Sequence, residues 1–132
     1  LQETLPLFDD PAPELKIQLA DRLRHLAADR LFIGTSSWKY EGWLNQIYTP
    51  ERYLTKGRFS AKRFDQECLA EFAETFSIVC GDFAFYQFPT AATWRKLFDQ
   101  VPAPFQFAFK VPEEITLPTF PSLPRYGVRA GR

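Results

Sequence analysis

The residues equipped for chemistry in this chain stand where apolar runs end. Thr35, Ser36 and Ser37 follow LFIG, residues 31–34, and lead into Trp38, Tyr40 and Trp43. Asp82 follows SIVCG, residues 77–81, with Phe85 and Tyr86 just beyond it, and Lys110 closes FQFAF ahead of Glu113 and Glu114. A carboxylate directly after an apolar strand is costly to bury unpaired, so Asp82 is expected to meet a donor, from a ligand or from the protein itself. Lys110 reads equally as a phosphate partner, a perturbed amine or a snorkelling side chain. Together Asp82 and Lys110 offer a base and a cation and are the candidate catalytic pair. Ser36, Trp38, Tyr40 and Tyr86 form the candidate ligand-binding set, a hydroxyl beside flat faces that stack on a sugar ring or a base. Core or loop packing is the competing role for the same aromatics. Glu113 and Glu114 are expected on a solvated loop.

Those positions depend on elements the sequence spells out. Leu15, Leu19, Leu23 and Leu26 recur at three- and four-residue spacing and predict a helix over residues 13–28 with one packed face. His25, the one histidine, lies on this helix beside Arg22, Arg24 and Asp29 and reads as a solvated or capping residue. Residues 31–35 form a nearly continuous apolar strand of the kind covered on both faces, with Gly34 permitting a turn or a close approach. A long aromatic stretch over residues 38–60 follows, of a length often functional in a compact domain. Ser60 is placed to cap a second helix over 61–76, whose Phe64, Cys68, Phe72 and Phe76 recur every four residues. Strands over 77–82 and 105–110 flank a third helix over 91–100, capped by Thr90 and turning Trp94, Leu97 and Phe98 inward; an aromatic loop fills 83–89. The alternation of helix and strand predicts right-handed crossovers and a parallel sheet.

Composition bounds the class more than the function. In 132 residues, 45% apolar content is enough for the core of one modest domain. Sixteen basic side chains balance sixteen acidic ones, so no global field draws the chain to nucleic acid or anionic lipid. No run approaches the roughly 20 apolar residues of a membrane span, and LQETLPLFDD lacks the basic start and apolar centre of a signal peptide, so no membrane association and a cytoplasmic location are expected. Cys68 and Cys80 lack a CxxC spacing and read as two small buried side chains, not a disulfide. With one histidine and no cysteine cluster, a metal site is not expected within this chain. No glycine-rich phosphate cradle or nucleophile elbow occurs, and no cofactor is implied.

Residues 1–13 hold three prolines and two adjacent aspartates and are expected to form a mobile arm ahead of a domain over 14–132. Within the arm, TLPLF, from Thr4 to Phe8, is similar to the short peptide with which bacterial proteins dock on the replication sliding clamp, with Thr4 where that motif has glutamine. The chain has no methionine, and after Lys110 it runs through Pro112, Pro118, Pro121 and Pro124 to RYGVRAGR without an apolar periodic segment. Both features lead us to expect a fragment, its final residues a connecting loop.

Taken together, LFIGTSSWKYEGW over residues 31–43, FAFYQFPT over 83–90 and FQFAFKVPEEIT over 105–116 resemble the YecE-like family, the domain of unknown function numbered seventy-two. The resemblance implies an α/β fold, a TIM-like (β/α)8 barrel of about twice this length, of which this chain would hold the first three parallel strands with their helices. It carries no assigned reaction. Where many members have an acidic residue and an asparagine ahead of the FY pair, this chain has Cys80, Gly81 and Asp82, so any polar role of that pair either falls to Asp82 or is lost here. In a barrel the site lies at the carboxyl ends of the strands, where all the candidate residues sit. Three readings follow: an uncharacterised enzyme on a sugar-like or phosphorylated small molecule; a nucleic-acid-binding barrel using Arg95, Lys96, Arg125, Arg129 and Arg132 on phosphates; or a truncated, inactive fragment.

Overall fold

The computed structural model describes residues 12–132, with side chains from Glu14 onward. The clamp-like peptide from Thr4 to Phe8, and all of the expected arm but its last two residues, lie outside the described residues. Those two, Ala12 and Pro13, already belong to helix α1, Ala12–Ala28. The helix is closed by Arg30 in the left-handed region, φ 63°. Its N–H donates to the Ala27 carbonyl at 3.0 Å while that of Leu31 reaches back to Leu26 at 2.9 Å, the paired arrangement that satisfies the last carbonyls of a helix. The buried face of α1 is narrower than the leucine spacing predicts. Ala20 and Leu23 are buried against the body of the protein, whereas Leu15 is 54% exposed.

The chain then enters a mixed α/β architecture built on three parallel strands in the order β1–β4–β5. These are β1, Gly34–Thr35, β4, Ile78–Gly81, and β5, Gln106–Phe109. In register, Gly34 faces Ile78 and Ile78 faces Gln106. A Cβ at position 34 would fall 1.8 Å from the carbonyl oxygen of Ile78, so the two strands approach this closely only with glycine there. The first strand is shorter than expected, and Leu31, Phe32 and Ile33 are exposed instead of covered on both faces. On that side the partner is short: α2, Ala61–Thr75, ends two residues before β4, and β1 pairs with β4 only through Gly34 and Thr35.

Helix α2 forms as its spacing predicts. The Ser60 hydroxyl accepts from the Arg63 N–H at 3.3 Å, and Phe64, Cys68, Leu69 and Phe72 are buried. Much of the stretch over 38–60 is core. Trp38, Ile47, Tyr48 and Tyr53 join α2, Val79 and Phe105 in one apolar cluster, through two 3-10 turns, Glu41–Trp43 and Pro50–Tyr53, and a hairpin of β2, Leu54–Thr55, with β3, Arg58–Phe59. The expected aromatic loop after β4 winds into a single turn, α3, Phe83–Tyr86. Helix α4, Ala91–Phe98, is capped by Thr90, whose hydroxyl accepts from Thr93 N–H at 3.2 Å. Trp94 and Leu97 are half-buried, but Phe98 is exposed, in contrast to the inward face expected for it.

The end of the chain departs most from expectation. Instead of an open connecting loop it forms α5, Glu113–Thr116, and a kinked 3-10 segment, Pro124–Arg129. Paired backbone bonds of 2.8 Å, from Phe120 to Arg132 and from Gly131 to Phe120, tie the segment back on itself. No helix among the described residues is long and apolar enough to cross a membrane.

Candidate functional site

A cleft of about 430 Å³ opens at the carboxyl ends of β1 and β4. Ligands bind in this position in open α/β sheets generally, because loops of different strands diverge there and leave a crevice. Ser36, Ser37 and Trp38 enter it from the end of β1, Asp82 and Phe83 from the end of β4, and Thr93 and Leu97 from α4. Three of the residues singled out by sequence, Ser36, Trp38 and Asp82, are thus brought to one surface.

The β1 turn is fixed by its own side chains. Thr35 Oγ1 donates to the Ser37 carbonyl at 2.7 Å, and Ser37 Oγ accepts from the Lys39 N–H at 3.2 Å. The Ser36 hydroxyl has no hydrogen-bond partner among the described residues, and the residue is exposed. Trp38 is only 6% exposed. Its carbonyl accepts from the Tyr48 hydroxyl, and its ring meets Phe83 edge-on with centroids 6.0 Å apart. Trp38 therefore packs in the core and also borders the cleft. Burial, the neighbouring Cys68 and Glu71 all push the Tyr48 hydroxyl well above its ordinary range, so it remains a fixed donor.

Asp82 is exposed, so the cost of burial that would have demanded a protein donor does not arise. Its one side-chain contact among the described residues is the Cys80 thiol, donating at 3.9 Å. Lys110 stands outside the cleft, exposed, with Nζ 4.9 Å above the Phe85 ring, and forms no ion pair with Asp82. Tyr40 packs edge-on to Trp43 at 5.2 Å and Tyr86 edge-on to Phe85 at 5.1 Å; both are exposed and neither lines the cleft. Glu113, expected in solvent, is 6% exposed and accepts from the Tyr126 hydroxyl at 3.2 Å, with the Arg129 guanidinium 4.0 Å away. Glu114 is exposed and holds Arg129 at 2.7 Å. The Arg129 guanidinium is thereby committed within the chain, and Arg125 lies over the Tyr126 ring at 4.8 Å.

Sequence reasoning passed over the most heavily bonded side chain among the described residues. Glu71, 1% exposed on α2, accepts from Lys16 Nζ at 3.0 Å, Thr49 N at 2.9 Å and Thr49 Oγ1 at 2.6 Å through one oxygen, and from the Tyr53 hydroxyl at 2.7 Å through the other. Burial by itself would raise its pKa. The bonds from Thr49, Tyr53 and Lys16 outweigh that effect and hold the carboxyl below its ordinary value. The signal was present: Glu71 falls seven residues after Phe64 and three after Cys68, on the apolar stripe of α2. All its donors come from α1 and the 38–60 stretch, so it clamps these to α2 and does not line the cleft.

Cys68 is buried with its thiol pushed up to about 12, by burial first, and is inert as a nucleophile. Cys80 is half-buried and also free, which corrects the expectation of two buried cysteines. No group of three or more metal-ligating side chains gathers among the described residues. A larger hollow of about 560 Å³ lies at the opposite, amino-terminal ends of the strands, walled by Ala27, Phe32, Phe76, Pro102 and Phe105. Its walls are chiefly apolar and it contains none of the candidate residues.

The family model described as protein of unknown function DUF72 matches residues 32–120. The match takes in the three sequence motifs except for Leu31, and every residue of the cleft. No curated protein and no solved structure matches the chain.

Proposed function

The chain belongs to the DUF72 family of proteins of unknown function, and from that premise we propose that it binds a small, hydroxyl-bearing molecule in the cleft at the ends of β1 and β4, as the opening arc of a (β/α)8 barrel. The observation that carries this reading is the convergence of Ser36, Trp38 and Asp82 on one cleft from two neighbouring parallel strands. In a barrel, sites are assembled from the ends of several strands in this way. Each residue has a chemical part. The unengaged Ser36 hydroxyl both donates and accepts, the exposed Asp82 carboxylate accepts strong charge-assisted bonds from ligand hydroxyls, and Trp38 with Phe83 supplies an apolar wall. Asp82 is also the group placed to take a proton from a bound hydroxyl. Lys110 joins such chemistry only by leaving the Phe85 ring.

The test is ligand-induced stabilisation of this chain by a panel of monosaccharides, compared with Ser36→Ala and Asp82→Asn. Both side chains are exposed, so neither change should alter the melting temperature of the free protein by more than a degree or so. Ser36→Ala should abolish the shift that the sugar produces, and Asp82→Asn should weaken it. Stabilisation that survives both changes places the ligand elsewhere.

A further inference from the structure

Resting on that reading of the cleft, we infer that its ligand is an uncharged or amine-bearing sugar and not a phosphorylated one. Two charged side chains line the cleft, Asp82 and Lys39. Lys39 is drawn away: its Nζ lies 2.7 Å from Asp65 Oδ1 and 5.9 Å from the centre of the Trp38 ring. Asp82 has no cation within salt-bridge distance among the described residues, and Lys110, the other cation near the strand ends, rests on Phe85 outside the lining. The Thr93 N–H, at the start of α4, already donates to Thr90 Oγ1 and the Trp94 N–H to the Thr90 carbonyl, while the turn that begins α3 carries the Asp82 carboxylate itself at its amino end. An anion entering the cleft would meet a like charge and no unengaged cationic donor. A neutral polyol meets a carboxylate acceptor, the Ser36 hydroxyl and an aromatic wall, and an amino sugar adds an ion pair with Asp82.

Calorimetric titration of the full chain with neutral hexoses and pentoses, 2-amino sugars and sugar 6-phosphates separates the outcomes. Neutral or amino sugars should bind at least about tenfold more tightly than the corresponding phosphates. In Asp82→Asn the amino-sugar preference should vanish and the phosphate disadvantage should narrow. Phosphates that bind as tightly as the parent sugars, through binding lost in Ser36→Ala, would overturn the ligand class and leave the cleft standing. Binding by no member of the panel, or binding indifferent to Ser36→Ala, would remove the cleft reading and this inference together.

Discussion

Glu71 shows how a single carboxylate governs the response of this fold to acid. Its pKa in the folded protein lies below the ordinary value of 4.5. The stability it supplies is therefore complete above the unfolded-state value and drains away as pH falls from there through the folded-state value. Replacing it with glutamine removes the charge that answers Lys16 and lets the amide nitrogen oppose one of the remaining donors. We expect Glu71→Gln to cost about 2 kcal/mol at neutral pH, less than a wholly desolvated pair would lose, because Lys16 retains Glu74; that contact is 3.3 Å. Urea titrations at descending pH check the sign: wild type and variant should converge as the medium becomes more acidic than about pH 4.5. Parallel curves down to the acid transition would show that the charge of Glu71 is not what its four short contacts serve.

At the scale of elements, what was legible followed periodicity, and what was not followed tertiary packing. The stripe of α2, its Ser60 cap and the Thr90 cap of α4 were readable because local spacing and a local hydrogen bond decide them. The parallel order of the strands was readable from their alternation with helices. The length of β1 was not, since it is set by where its pairing with β4 stops, a fact about two segments far apart in the chain. Nor was the inward collapse of Tyr48 and Tyr53, aromatics that looked like the lining of a loop. Of the candidate site residues, Ser36, Trp38 and Asp82 converged because they follow the paired ends of β1 and β4, whereas Lys110 follows β5 and Tyr40 and Tyr86 lie further along their turns, all three off the cleft. The β2–β3 hairpin also went unseen, although its two-residue turn, Lys56 at φ 53° and Gly57 at φ 75°, is of the kind that matches strand twist. Nothing stands within 4 Å of a Cβ built on Gly57. A Gly57→Ala change therefore acts through backbone torsion alone and should lower stability by about 1 kcal/mol, while Lys56→Asn should raise it by a few tenths. Melting temperatures of the two variants test this pair of opposite signs, and equal shifts in one direction would contradict the assigned turn.

At the scale of the whole molecule, the described residues present a sheet with one finished side. The register places Val79 with Phe107 and Gly81 with Phe109 on the face that α2 and α4 cover, and Ile78 with Gln106 and Cys80 with Ala108 on the other. On that second face Gln106 and Ala108 are exposed and Ile78 and Cys80 half-buried. Parallel sheets are otherwise buried on both faces, because their strands are apolar on both. This chain in isolation should therefore bury that face against a second copy of itself. Sedimentation velocity should show a boundary that moves faster as concentration rises, and Ala108→Lys, which puts a charge in the middle of the bare face without touching the covered one, should return the chain to a monomer with its helical circular dichroism intact. A wild-type boundary independent of concentration would mean that the half-burial of Ile78 and Cys80 already suffices. The open face would then be a surface the fold tolerates, and the pressure to complete it that motivates a barrel would be absent at the level of this chain.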